Sequence, residues 1–88
     1  MADLKAEFDA CAQKLRDSEG VVAGIPDDKK LEIYALFKQG EVGDVNTARP
    51  GMLDFKGKAK WDAWDGKKGM SKEDAQKAYI ELVNGILA

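Results

Sequence analysis

YALFKQ (residues 34–39) and VGDVNTARPGMLDFKGKAKWDAW (residues 42–64) decide how this chain folds. From Pro26 to Gln39 the bulky side chains occupy two faces of one helix. At about 100° per residue, Leu31, Tyr34, Ala35 and Lys38 fall on one side, Ile33 and Leu36 on another, and Phe37 between them. A helix packed on a single side has no use for the second. One face is therefore expected to serve the core, and the other, with its ring and ammonium, to meet a ligand. Pro26 suits a first helical turn, Asp27 and Asp28 add favourable negative charge there, and Gly40 reads as the C-terminal stop.

Outward from this helix the same 3.6-residue period recurs, and no stretch alternates over strand length. Upstream, Leu4, Phe8, Cys11, Ala12 and Leu15 form one apolar stripe, with Asp3 and Glu7 near its start and Lys14 and Arg16 near its end. Gly20 and Gly24 then read as a flexible connection. Downstream, residues 40–50 read as an extended loop, too long for a tight side-by-side hairpin. A third helix is expected from near Gly51 to Asp65-Gly66. Ser71, with Asp74 three residues on, predicts the cap of a fourth, whose inward face is Ala75, Ala78, Tyr79, Leu82, Val83 and Ile86. The expected fold class is all-α, with four helices in one domain over residues 1–88.

Composition narrows the function classes. With 44% hydrophobic and 34% charged residues the chain is globular rather than disordered. The net charge of −2 argues against a nucleic-acid partner and against indiscriminate attraction to an anionic membrane. That charge is uneven: residues 1–48 hold six basic and ten acidic side chains, whereas residues 49–68 hold six basic and three acidic ones. A local basic segment suits a compact anionic ligand. Cys11 is alone, no signal-peptide pattern opens the chain, and no apolar run approaches the roughly 20 residues of a bilayer span, so a cytoplasmic protein is expected. The absence of histidine removes the commonest general base, and the single cysteine has no histidine to activate it. Neither a glycine-rich phosphate loop nor a metal-ligand cluster is present, so no catalytic residues, metal or cofactor are expected.

The stretch from Tyr34 to Trp64, and more loosely the chain from Phe8 to Tyr79, resembles the acyl-CoA-binding protein family. Val42-Gly43-Asp44, Asn46-Thr47, Arg49-Pro50-Gly51 and Lys58-Ala59-Lys60-Trp61 with Trp64 match that family's pattern in order and spacing, as do Ser71 to Ala75 and Lys77-Ala78-Tyr79. The resemblance implies a four-helix up-down-down-up bundle that binds medium- and long-chain acyl-CoA esters and acts as an intracellular carrier and pool former, without catalysis. It implies ligand-binding roles for Arg16, Tyr34, Lys38, Lys60 and Tyr79, and places Ala12 and Leu31 beside the adenine. Phe37 replaces a tyrosine usual in the family, Gly40-Glu41 replaces Ala-Thr, and the connection after the first helix is longer than common. Long-chain fatty acyl-CoA is then the expected ligand of a monomer, with transient contacts to acyl-CoA-using enzymes and membrane surfaces.

The chemistry of these side chains fits such a ligand. Lys38 and Lys60 offer compact charges for a phosphate, Tyr34 a hydroxyl donor, and Phe37 a face for the base. Trp61 and Trp64 read chiefly as packing residues, Lys56, Lys58 and Lys67 as solvated charges, and Cys11 as a small buried hydrophobe.

Overall fold

The computed structural model describes residues 3–87; residues 1, 2 and 88 of the expected domain lie outside the described part. Five helices follow in order: α1 (Leu4–Asp17), α2 (Glu19–Ala23), α3 (Asp27–Glu41), α4 (Phe55–Asp65) and α5 (Lys72–Leu87). The four long ones are those that the periodicity predicts. Asp3 caps α1 by accepting from the Lys5 amide, and the Ser71 hydroxyl caps α5 by accepting from the Asp74 amide at 3.0 Å.

Named pairs fix the directions. Phe8, early in α1, meets Phe37 and Gly40, late in α3, so these helices are antiparallel. Gln76, early in α5, donates to the Gly40 carbonyl at 2.8 Å, whereas Leu82 borders a hollow with Asp28 and Lys29 at the start of α3, so α5 also opposes α3. Leu31 shares a hollow with Phe55, and Lys38 stands over Trp64, so α3 and α4 run parallel. The result is the up-down-down-up bundle, with α3 packed on α5 through one face and on α4 through the other.

The core gathers the inward stripes: Phe8, Cys11, Ala12 and Leu15 from α1, Ile33 and Leu36 from α3, Tyr79 and Val83 from α5, and Ile25. Full burial of a side chain such as Phe8 contributes about 1.5–3 kcal/mol. Cys11 is buried among them as a small hydrophobe, its Sγ 3.8 Å from Asn84 Oδ1.

A parallel pair demands a long return path. At about 1.5 Å per residue α3 is roughly 22 Å long, and the connection through residues 42–54 spans that distance easily. It is pinned rather than loose. The Trp64 indole donates to the Gly43 carbonyl at 2.8 Å and the Trp61 indole to the Thr47 carbonyl at 2.9 Å. Arg49 forks onto Asp62 with two bonds of 2.9 Å. Asp44 accepts from the Gly69 amide and from buried Gln39, and those bonds, the first above all, hold its carboxyl below the usual carboxylate range.

Three local expectations change. The connection after α1 is not merely flexible: it forms α2, because Val22 and Ile25 have core surface to cover, and that burial offsets the cost of Gly20 within the helix. The third long helix starts at Phe55 rather than near Gly51, because the Asp54 carboxylate captures the Gly57 amide at 2.9 Å and sets the first turn. Gly40 is not the stop of α3. The helix runs on to Glu41 and breaks at Gly43, whose φ of 99° is the left-handed conformation that glycine adopts without strain. Gly40 is instead a packing site: a Cβ there would lie 3.0 Å from the Gln76 side chain and 3.1 Å from the Phe8 ring.

Gly40→Ala is therefore expected to destabilise by about 1–2 kcal/mol, crowding outweighing the gain in helix propensity. Urea unfolding measures it; an unchanged or raised midpoint would show that Phe8 and Gln76 have room to yield.

Candidate functional site

Two depressions open side by side along α3. The inner one, about 320 Å³, lies between α1, α3 and α5. Its floor is apolar: Ala12, Leu15, Ile33 and Tyr79 are all buried, and Phe37 adds a half-buried ring. Arg16, Lys30 and Lys60 stand around it, which puts three cations beside one greasy surface. The outer depression, about 480 Å³, lies between α3 and α4, and Leu31, Phe55 and Ala59 give it an apolar strip beside Lys56. Both are of the size of small-molecule sites. Lys30, Tyr34 and Lys60 line both, so these three side chains form the sill where one passes into the other.

The helices position each group. Phe37 stacks on Phe8 with ring centroids 5.4 Å apart, and Tyr79 meets Phe8 edge-on at 5.0 Å, which fixes the two rings of the inner floor from behind. The Lys60 ammonium lies 5.5 Å from the centre of the Tyr34 ring, joining α4 to α3 across the sill. Burial is the main reason that the Tyr79 hydroxyl is pushed up to about 12, so it remains neutral at any physiological pH.

Of the eight residues that the sequence singles out, Ala12, Arg16, Tyr34, Phe37, Lys60 and Tyr79 line the inner depression and Leu31 the outer. Lys38 is the exception. Its Nζ stands 5.0 Å over the Trp64 ring, and it lines neither depression. Trp61 is likewise outside both, with its indole turned to Thr47. Lys67 pairs with Glu32 at 2.6 Å. Lys30 is the residue that the sequence reading passes over. It lies one helical turn before Tyr34, so spacing alone places it on the ligand-facing side, but its acidic neighbours Asp27, Asp28 and Glu32 make it look like an ordinary solvated charge.

Comparison with known proteins bears on the fold and the family. Residues 5–83 match the family described as Acyl CoA binding protein. The Caenorhabditis elegans Acyl-CoA-binding protein homolog 1 is 64% identical over 61 residues, 69% of this chain and 71% of that protein. The Drosophila melanogaster Acyl-CoA-binding protein homolog is 50% identical over 85 residues, 97% of this chain and 95% of the relative. The crystal structure of Oryza sativa Acyl-CoA-Binding Protein 2 superposes with a TM-score of 0.86 at 39% identity, over 97% of this chain and 91% of that one. The crystal structure of ACBP from Moniliophthora perniciosa gives 0.81 at 41% identity, over 99% and 81%. A helical bundle with an aromatic and cationic trough is the class of protein these features define. The chain belongs to the acyl-CoA-binding protein family.

Tyr79 also makes a pH prediction. Its folded pKa is raised, so the stability linked to it is complete below the ordinary value near 10 and is lost as the pH climbs through about 12. Lysines titrate in the same window, so the difference between wild type and Tyr79→Phe is the informative quantity. Wild type is expected to lose more melting temperature than Tyr79→Phe on going from neutral pH to 12. Parallel declines would mean that the buried hydroxyl is not destabilising when ionised.

Proposed function

We propose that this chain binds medium- and long-chain acyl-CoA esters and carries them in the cytoplasm as a soluble pool, without catalysis. The observation that carries this reading is the sill: two lysines and a tyrosine join an apolar, ring-floored hollow, with Arg16 at its edge, to an apolar strip. A flat base with phosphates fits the first, and a hydrocarbon chain the second. In this reading Phe37 and Tyr79, over Ala12, face the adenine, while Arg16, Lys30 and Lys60 bind the phosphates and Tyr34 donates to one of them. Leu31, expected beside the adenine, lines the outer depression instead and with Ala59 flanks the chain. Lys38 joins the phosphate contacts only after its side chain leaves Trp64, so it contributes less than Lys60. No cofactor takes part.

Residues 1–88 act as one acyl-CoA-binding domain, and one copy suffices because both hollows are complete within it. Buried, unpaired Cys11 suits a reducing compartment. Among the described residues no helix is long and apolar enough to cross a membrane. Family membership and the lack of any histidine support carriage rather than turnover of the thioester.

Magnitudes set a division of labour. Burial of a methylene contributes about 0.8 kcal/mol, so covering ten yields about 8 kcal/mol before ordering costs. A charge-assisted hydrogen bond contributes about 1.5–3 kcal/mol. The tail sets affinity, and the phosphates decide that the tail belongs to a CoA ester.

Calorimetric titration should give CoA alone far weaker binding than palmitoyl-CoA, with palmitate poorly bound. Lys60→Ala should weaken palmitoyl-CoA binding about tenfold or more while leaving the melting temperature nearly unchanged, and Lys38→Ala should weaken it less. Equal affinity for CoA and its ester would refute the division. Conversion of the thioester during the titration would replace the carrier with an enzyme.

A further inference from the structure

The inner depression does not end at Arg16. A third hollow, about 350 Å³, continues past it between the end of α1 and α2, lined by Leu15, Arg16, Glu19, Val22 and Ala23. Leu15, Arg16 and Val22 line both, so the two form one trough. Its far wall is α2, which stands in the connection that is longer here than is common in the family. That wall is fixed in place. The Ser18 hydroxyl donates to the Lys14 carbonyl at 2.8 Å, the Val22 amide donates to the Ser18 carbonyl at 2.9 Å, and Ile25 beyond it is buried.

Glu19 is out of keeping with a site for phosphates. A carboxylate beside a polyanion is repelled by it, yet this one lines the trough next to Arg16. Among the described residues it is the only carboxylate lining either the inner depression or the third hollow, and it forms no salt bridge. An acid on the first turn suits the dipole of α2, and on that ground alone it would be a solvated charge. Its place on the trough gives it a second use.

We propose that Glu19 reads the amino group of the base, and that α2 closes the trough against the base's far edge. This rests on the carrier reading of the same site. With the phosphates held at the sill by Lys30 and Lys60, a purine lying over Phe37 and Tyr79 extends away from them. Its bond to the sugar is at one end, and the six-membered ring of adenine, with its amino group, is at the other. That end enters the third hollow. There Leu15, Val22 and Ala23 meet the ring, and the Glu19 carboxylate accepts from the amino group. Arg16 spans the passage, its stem along the hollow and its guanidinium with the phosphates.

The test compares palmitoyl-CoA with the analogue whose base is unsubstituted purine, which keeps the ring, phosphates and tail but lacks the amino group. Calorimetry should give wild type a preference of about threefold to tenfold for the adenine ester, since an exposed polar contact discriminates less than a buried one. In Glu19→Ala that preference should fall to near unity. Both esters should also bind this variant slightly more tightly, because a charge that repels the phosphates is gone. The ratio is therefore the informative quantity, and a merely structural role for Glu19 would leave it unchanged. On the native chain, adenosine 3′,5′-bisphosphate should shift the Val22 methyl resonances together with the ring signals of Phe37 and Tyr79. A preference retained in Glu19→Ala, equal binding of both esters by wild type, or Val22 methyls that stay in place while the rings shift would each overturn this inference and leave the carrier reading standing. Failure of wild type to bind either ester would overturn both.

Discussion

Three rings hold this molecule together. Phe8 of α1, Phe37 of α3 and Tyr79 of α5 meet with centroids 5.0 to 5.8 Å apart, at the point where three helices converge. Each such pair contributes about 0.5–1.5 kcal/mol beyond the area it buries. Their larger consequence is geometric. Phe8 is fully buried and backs the other two, so Phe37 and Tyr79 present fixed surfaces to the inner depression. The core and the floor of the site are the same side chains, which is why the site is rigid without any dedicated scaffold.

The second constraint is the parallel pairing of α3 and α4. Antiparallel neighbours are joined by a short loop; parallel ones require the chain to travel back along the full length of the first helix. The returning segment is held by hydrogen bonds from both tryptophans, the Arg49 fork and the Asp44 carboxylate. These anchors place α4 at the distance that lets Lys60 reach over Tyr34. Polar tethering of a long connection thus sets the sill on which both hollows depend.

Most of this order is written in local pattern. The i, i+4, i+7 stripe of α1, the Ser71 cap and the two occupied faces of α3 are short-range signals, and each corresponds to an observed element. What escapes is set by partners distant in sequence. Gly40 looks like a terminator because glycine usually ends helices, yet here Phe8 and Gln76 need the missing side chain's space. The five residues of α2 look flexible because the core surface that Val22 covers is invisible from neighbouring residues. Lys38 shares a helical face with Tyr34, as its spacing says, but the Trp64 ring draws its ammonium aside. Lys30 is the converse, a charge whose sequence neighbours suggest solvent and whose helix face places it on the sill.

An NMR titration with palmitoyl-CoA tests the central assignment most directly. Signals of Leu31, Tyr34, Phe37, Lys60 and Tyr79 should shift together to saturation at one equivalent, while those of Asp28, Ala78 and Glu81 around the hollow between α3 and α5 stay in place. Shifts concentrated in that other hollow, with the aromatic floor undisturbed, would contradict the account.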